Sequence, residues 1–586
     1  MTDLARRLSA QVGAAFAAEG LDAAFGAVVR SSRPDLAPFQ CNGAMAAAKA
    51  AGKPPRALAE AVAARLRDDP AFADVTIAGP GFLNFSVPDA ALSARVADVF
   101  EARRGFGGDL SGQRYIVDYG GPNVAKAMHV GHLRASILGE SLKRMLRFAG
   151  AKVWGDAHFG DWGFQMGLMI AVIEGEQGSA ATSPESLAVI SLDWLQDRYP
   201  TAAAKAKEDT AFRDAARRAT ARLQSGDPAA YAIWKQMRVV SMEAQKRDFS
   251  ALGIDFDLWQ GESDADPYIA DMVEDLKIRG LAEADDGALV VHVHEKMVPK
   301  KDGTEGPDVP PLLVVSSEGS AMYGTTDLAT IVQRVKEYAP DKTLYAVDQR
   351  QADHFEQVFR AAAKAGYARR DQLEHVGFGT MNGPDGKPFK TRAGGVLRLS
   401  DLMDTAKQKA FDRLKEADIG TDFSAEELAD MAHKVAIAAI KFADLQNFRG
   451  TNYVFDIDRF VSFEGKTGPY LLYQAVRIKS ILRKAKEQGV AAGPVHVAHE
   501  AERTLALSLD AFHEALSAAL DKRAPHFLAE HAYSLAQAFS AFYSKCPILQ
   551  EAEIPVRASR LSLAQATLLQ LETALELLGM ETPERM

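Results

Sequence analysis

The chain is 586 residues long, 47% hydrophobic and 25% charged, which excludes a disordered protein and leaves room for three or four separate cores. A net charge of −10 excludes a protein that holds polyanions by bulk neutralisation, but it is compatible with a locally positive face. Cys41 and Cys546 lie at opposite ends of the chain and offer neither a CxxC pair nor a histidine cluster to zinc; both read as buried thiols, and no dedicated metal site is expected.

In chain order, residues 1–110 read as a small α+β domain. An amphipathic helix opens it, with Ser9, Gln11 and Glu19 breaking any signal-peptide core. An Ala-rich helix is predicted over 55–66, then strands through Val75 and Ile77 and through Phe82, Phe85 and Val87, with 78–81 as the turn between them. The Gly-rich break at 105–112 marks a boundary.

Residues 111–400 carry the pattern of a doubly wound α/β domain. A strand at 114–118 is followed by a helix at 133–148 with Leu138, Leu142 and Met145 on one face and Gly150 as its stop, and Lys152 begins a second strand. Apolar runs at 312–315, 344–347 and 373–378 are the candidates for the other strands of a parallel sheet, and 175–247 reads as a helical insertion. From 401 onward only helices are predicted: a connector over 401–450 with Val435, Ile437, Ile440 and Phe442 as its apolar stripe, then a helical domain over 451–586 with stripes at Leu535, Phe539 and Phe542 and at Leu571, Leu575 and Leu578. No stretch has the length of uncharged apolar residues that a bilayer-spanning helix needs, so a cytoplasmic protein without a membrane partner is expected.

The segment Asp118-Tyr-Gly-Gly-Pro-Asn123-Val-Ala-Lys126-Ala-Met-His129-Val-Gly131-His132 joins the first strand to the first helix of this domain. A helix N-terminus offers unpaired N–H groups and partial positive charge, which suits phosphate; Gly131 admits close approach, and His129 and His132 can both donate to phosphate oxygens. HxGH alone is a four-residue pattern that chance produces, but at the carboxyl end of a sheet strand it sits where ligands bind.

With its setting, the segment resembles the HIGH motif of class I aminoacyl-tRNA synthetases, and the Pro122-Asn123-Val124-Ala125-Lys126 ahead of the histidines is similar to the arginyl enzymes. Gly160-Asp161-Trp162-Gly163, Tyr323-Gly-Thr-Thr-Asp327, the stretch 348–354 (DQRQADH), Gly386-Lys387 through Arg392, and the closing Pro583-Glu584-Arg585-Met586 resemble blocks of the same family. The likeness spans nearly the whole chain and is weakest over 175–247. A nucleotidylyltransferase shares HxGH on this fold, but those chains are shorter and lack the helical tail.

The resemblance implies a Rossmann-like catalytic domain between an N-terminal tRNA-contacting domain and a C-terminal anticodon-binding domain. It implies ligation of L-arginine to tRNA(Arg) through an arginyl-adenylate, with ATP as substrate and Mg²⁺ assisting, and a monomer is the expected state. His129, Gly131, His132, Lys126, Lys387, Lys390 and Thr391 are the implied ATP-binding residues, and His129, His132, Lys126, Lys390 and Arg392 the implied catalytic ones. Asp118, Asn123, Tyr323, Asp327 and Gln351 are the implied arginine site. Independently, a guanidinium is a planar fork of donors that needs carboxylates and amide oxygens around it, and Tyr323 and Asp327 four apart on a helix present an acceptor beneath a ring. One departure stands out: the family's KMSKS signature reads Phe389-Lys390-Thr391-Arg392-Ala393 here, with arginine in place of the second lysine. A better textual match, Lys296-Met297-Val298-Pro299-Lys300, precedes the 312–315 run and reads as a decoy.

Overall fold

The structure is a computed structural model that describes residues 3–299, 304–317, 319–383, 385–387 and 397–586. The chain divides into two compact units, one made of Met1–Asp109, Lys415–Ala438 and Ser462–Met586, the other of Leu110–Leu414 and Ala439–Val461.

In the first unit, Asp3 caps the helix Leu4–Ala18 by accepting from the Arg6 amide, and Leu4, Leu8, Val12 and Phe16 form its buried stripe. A four-stranded antiparallel sheet follows, ordered Val28–Arg30, Phe39–Cys41, Phe82–Ser86, Asp74–Ala78. Phe39 pairs with Phe85 across two of its strands and both rings are fully buried, so alternate residues of short strands build the core. The expected helix is Pro55–Leu66. The later part of the unit is helical, with Gly468–Glu487, Glu500–Asp510, Phe512–Asp521, His526–Lys545 and Ile554–Leu577, and the two expected stripes, Leu535, Phe539 and Phe542 and Leu571, Leu575 and Leu578, are buried. Asp510 is fully buried: it accepts from the Leu4 amide at 3.2 Å, from Arg95 Nε at 2.6 Å, and from Arg30. Each of its oxygens therefore meets a donor from the first hundred residues, the only way such burial of a carboxylate is tolerated.

In the second unit, four parallel strands run in the order Leu373–His375, Lys342–Ala346, Arg114–Tyr119, Lys152–Asp156. The helix Val130–Phe148 lies on this sheet at the level of Gly139, where a Cβ would stand 2.1 Å from the Tyr119 ring, so only glycine permits the approach. The insertion holds the helices Pro184–Val189, Leu192–Glu208, Thr210–Gln224 and Pro228–Ala251. One expected strand falls elsewhere: Leu312–Val315 pairs antiparallel with Ala288–Val291 in a separate three-stranded sheet. A four-residue apolar run specifies a strand but not its sheet, and the neighbouring run at Ala288–Val291 supplies the nearer partner. The decoy at Met297–Pro299 forms a two-stranded ribbon with Glu305–Pro307, outside the parallel sheet. The tail is not purely helical either, because Tyr453–Val454 pairs in parallel with Met381–Asn382. Among the described residues no helix is long and apolar enough to cross a membrane.

Candidate active site

The helix Val130–Phe148 begins at the carboxyl end of the strand Arg114–Tyr119, and its first turn is closed by the two histidines themselves. His129 is the N-cap: its Nδ1 accepts from the Gly131 amide at 3.0 Å, and His132 Nδ1 accepts from the His129 amide at 3.1 Å. The rings lie 4.0 Å apart between centroids. Because each Nδ1 receives a backbone N–H, the ring proton of each sits on Nε2, leaving two neutral Nε2–H donors. Burial, reinforced by His129, drives His132 down to about 3, and burial with the nearby Lys126 also lowers His129. Both rings are therefore uncharged donors at neutral pH. The structure places the first histidine as the cap and the second within the first turn.

Lys126 holds its ammonium 4.5 Å from the centroid of Tyr199, a ring of the insertion helix Leu192–Glu208, and close enough to His129 to affect its titration. Lys387 is exposed in a tight turn in which the Gly383 amide donates to its carbonyl at 2.7 Å. Lys390, Thr391 and Arg392 lie outside the described residues. Asn123 lies beside the helix start, its carbonyl accepting from Gln245 at 3.0 Å. A Cβ at Gly160 would stand 2.2 Å from Asn123 Oδ1, which accounts for the glycine opening the Gly160-Asp161-Trp162-Gly163 block.

The rest of that block builds a second region. Asp161 is fully buried and accepts from the Ser263 amide at 2.9 Å and its hydroxyl at 2.7 Å, with Arg238 Nε at 3.0 Å, while Trp162 Nε1 donates to Asp266 at 2.8 Å. These bonds fasten the start of the helix Glu262–Ile278, so that Glu262 faces a cavity of about 610 Å³ together with Trp162, Tyr323 and Thr326. Tyr323 opens the helix Tyr323–Tyr338 and is 59% exposed to the cavity side; one turn on, Asp327 Oδ2 lies 2.5 Å from His354 Nε2. Burial and the repulsion of Asp327 push Glu262 up to about 7. Asp118, Asn123, Asp327 and Gln351 are not among the residues lining that cavity, whose other wall carries Arg213, Arg217 and Arg218. Gln351 is exposed, immediately before the helix Ala352–Ala365 that carries His354. Asp118 is engaged within the protein: Arg334 Nη2 is 2.6 Å from Asp118 Oδ2 and 2.6 Å from Asp156 Oδ2. His158, 3.6 Å from Asp156, is lifted to about 9 by that carboxylate in spite of its burial.

Sequence reasoning passed over Glu262, Arg334 and His158, and named Asp161 only as part of a family-like block without a role. Glu262 and Asp161 carried only a weak signal: an acidic residue at a helix start reads as a cap, and the Gly-Asp-Trp-Gly block shows no chemistry until Ser263 and Arg238 are brought to it. Asp118, Asp156 and His158 form the one group of metal-type donors among the described residues, and Arg334 already supplies the positive charge between the two carboxylates. That group does not suit a divalent cation.

Comparison with known proteins agrees along the whole chain. Sequence profiles for tRNA synthetases class I (R), catalytic domain, for the DALR anticodon binding domain and for the arginyl tRNA synthetase N terminal domain match residues 105–457, 471–586 and 2–87. An arginine–tRNA ligase of Hyphomonas neptunium is 52% identical and one of Maricaulis maris 51% identical, each over 100% of both chains. The arginyl-tRNA synthetase structure of Thermus thermophilus superposes with a TM-score of 0.77 at 25% identity, covering 99% of this chain and 100% of that one. The chain belongs to the arginyl-tRNA synthetases of class I, and it joins arginine to tRNA at the expense of ATP.

Proposed function

We propose that the two regions divide the reaction between them, the helix N-terminus holding the triphosphate of ATP and the Glu262, Asp327 and Tyr323 surface holding the guanidinium of arginine. The observation that carries this reading is the Glu262 carboxyl: burial and the charge of Asp327 hold it up at about 7 even though His158 stands near it, and a guanidinium placed there relieves the repulsion. Asn123 and Gln351 are assigned to the amino-acid backbone, while Asp118, its carboxylate paired with Arg334, acts through that pair. His129 and His132 donate from Nε2 to the α-phosphate and the leaving pyrophosphate as charge develops there, with Gly131 giving backbone access. Lys126 and the segment with Lys387, Lys390, Thr391 and Arg392 supply positive charge to the triphosphate. The adenylate forms by in-line attack of the arginine carboxylate, and a terminal ribose hydroxyl of tRNA then takes the arginyl group, so the protein's part is positioning and charge stabilisation. Mg²⁺ would serve by screening the charge of the triphosphate; the Asp118, Asp156 and His158 group, already neutralised by Arg334, would not hold it.

Tyr470, Tyr473 and Arg477 belong to the surface that meets the tRNA anticodon. Tyr473 is 40% exposed and the Arg477 guanidinium lies 4.6 Å from the Tyr543 ring centroid, a platform for unstacked bases rather than a carpet of charge. The enzyme works as a monomer in the cytoplasm. The test is aminoacylation of total tRNA with each labelled amino acid in turn, on the native chain and on Glu262→Gln: arginine alone is charged by the first, and the variant charges arginine more weakly without gaining another.

A further inference from the structure

Arg134 lies one turn into the helix that carries His132, and it is buried, with 3% of its surface exposed. Its Nε donates to both oxygens of Asp444, at 3.1 and 3.2 Å, and its Nη1 to the Thr451 carbonyl at 2.9 Å. The guanidinium carbon is 5.1 Å from the Tyr453 ring centroid and 5.9 Å from that of Phe378. Asp444 is itself 5% exposed, so this is a desolvated ion pair, and a leucine would fill such a place at less cost if packing were the only need.

What the pair touches suggests another need. Phe378 is bridged to Asp348 and accepts from the Gln349 amide at 3.0 Å. The chain then runs through Met381–Asn382, paired with Tyr453–Val454, and the Thr380 amide donates to Asn452 Oδ1 at 2.7 Å. Beyond Asn382 comes the stretch bearing Lys387, Lys390, Thr391 and Arg392, and it returns at Leu397, whose carbonyl accepts from the Val130 amide at 3.1 Å; the Leu399 amide then donates to the Met128 carbonyl at 3.0 Å. Both anchorages of the stretch thus close on one helical turn, one through the backbone beside His129 and the other through the side chain of Arg134.

We propose that Arg134 is a positioning residue for adenylate formation, clamping the histidine-bearing turn to the strand from which the 383–396 segment departs. It touches no substrate. A guanidinium is needed because one group must meet a carboxylate, a carbonyl and two ring faces in fixed directions, which an ammonium on a flexible stem does not do. The proposal rests on the ATP role given above to His129, His132 and that segment.

The experiment is single-turnover adenylate formation with saturating tRNA on Arg134→Lys, with Asp444→Asn as the second variant if the first fails to fold, and His132→Ala in parallel. Arg134→Lys is expected to slow adenylate formation about 10²-fold per folded active site, the scale of an ångström-sized misplacement. KM for ATP should rise, while KM for arginine and the Kd for tRNA stay within about twofold, a split that general destabilisation does not produce. A native rate in the variant with His132→Ala impaired overturns the proposal, as does a loss shared equally by ATP, arginine and tRNA. A native rate in both variants removes the ATP assignment and the proposal with it.

Discussion

The two regions proposed for ATP and for arginine are built in opposite ways. At the end proposed for ATP, the parts lie within the seven residues from Lys126 to His132: His129 and His132 cap their own helix, their protons are fixed on Nε2 by backbone amides, and the donors stand ready. At the end proposed for arginine, Glu262, Tyr323 and Asp327 come from the starts of two helices, Glu262 lying 61 residues before Tyr323, and the charge of Asp327, itself paired with His354, raises Glu262. A site for an anion is made by arranging dipoles locally, whereas a site for a cation stores unneutralised charge and needs the tertiary fold to hold it.

The sharpest way to break that contrast is to offer the arginine end a neutral copy of its ligand. Citrulline keeps the shape but brings no charge to the surface of Glu262 and Asp327 and leaves acceptors there unpaired, so its kcat/KM should fall by about 10⁴-fold, while canavanine, which keeps the fork, is poorly excluded. Ready charging with citrulline in an aminoacylation assay would end the account of this region. At the other end, Lys126→Ala should slow single-turnover adenylate formation by about 10² to 10³-fold with arginine affinity nearly unchanged. A variant within about threefold of native would leave the ammonium as no more than a partner of Tyr199. Asp327→Asn, which keeps shape and removes charge, should weaken arginine binding by about 10²-fold in calorimetry and leave ATP binding alone. An equal effect on both ligands would mean that the two ends are one site.

The smallest effect is a titration. Glu262, faced by Asp327, Asp161 and His158, titrates near 7 in the free enzyme, and a bound guanidinium lowers it, so arginine binds the ionised form and binding releases a proton. Affinity is then full above pH 7 and falls below it, by about tenfold between pH 8 and pH 6. Glu262→Gln should flatten that slope, and an unchanged slope in the variant would assign the proton elsewhere.

The same contrast explains what could be read from the sequence. The HIGH turn was legible because its parts are contiguous and its setting, strand then helix, leaves an apolar period on both sides. The Tyr323 to Asp327 pair was legible for the same reason, as one helical turn. Glu262 was not, because its chemistry comes from being buried against a residue 65 positions away. Asp118 shows the converse: its place at the strand end was foreseen, but the pairing with Arg334 depends on a helix that no local pattern links to it. In the fold, the strands at 114–118, 344–347 and 373–378 were found by their apolar runs, and the run at 312–315 went to the wrong sheet because pairing partners are not written in a run of four residues.

The buried Asp510 carries a consequence for how the chain is made. Its partner Arg95 precedes it by 415 residues, so at elongation rates of about 5–20 residues per second roughly 20–80 s separate the emergence of the two. Through that interval the first domain leaves the ribosome with two guanidiniums, Arg30 and Arg95, shaped for a carboxylate that has not been synthesised. The N-terminal domain therefore reaches its final state only near the end of translation, and a nascent chain stalled before residue 510 presents that waiting surface to whatever acidic groups are near.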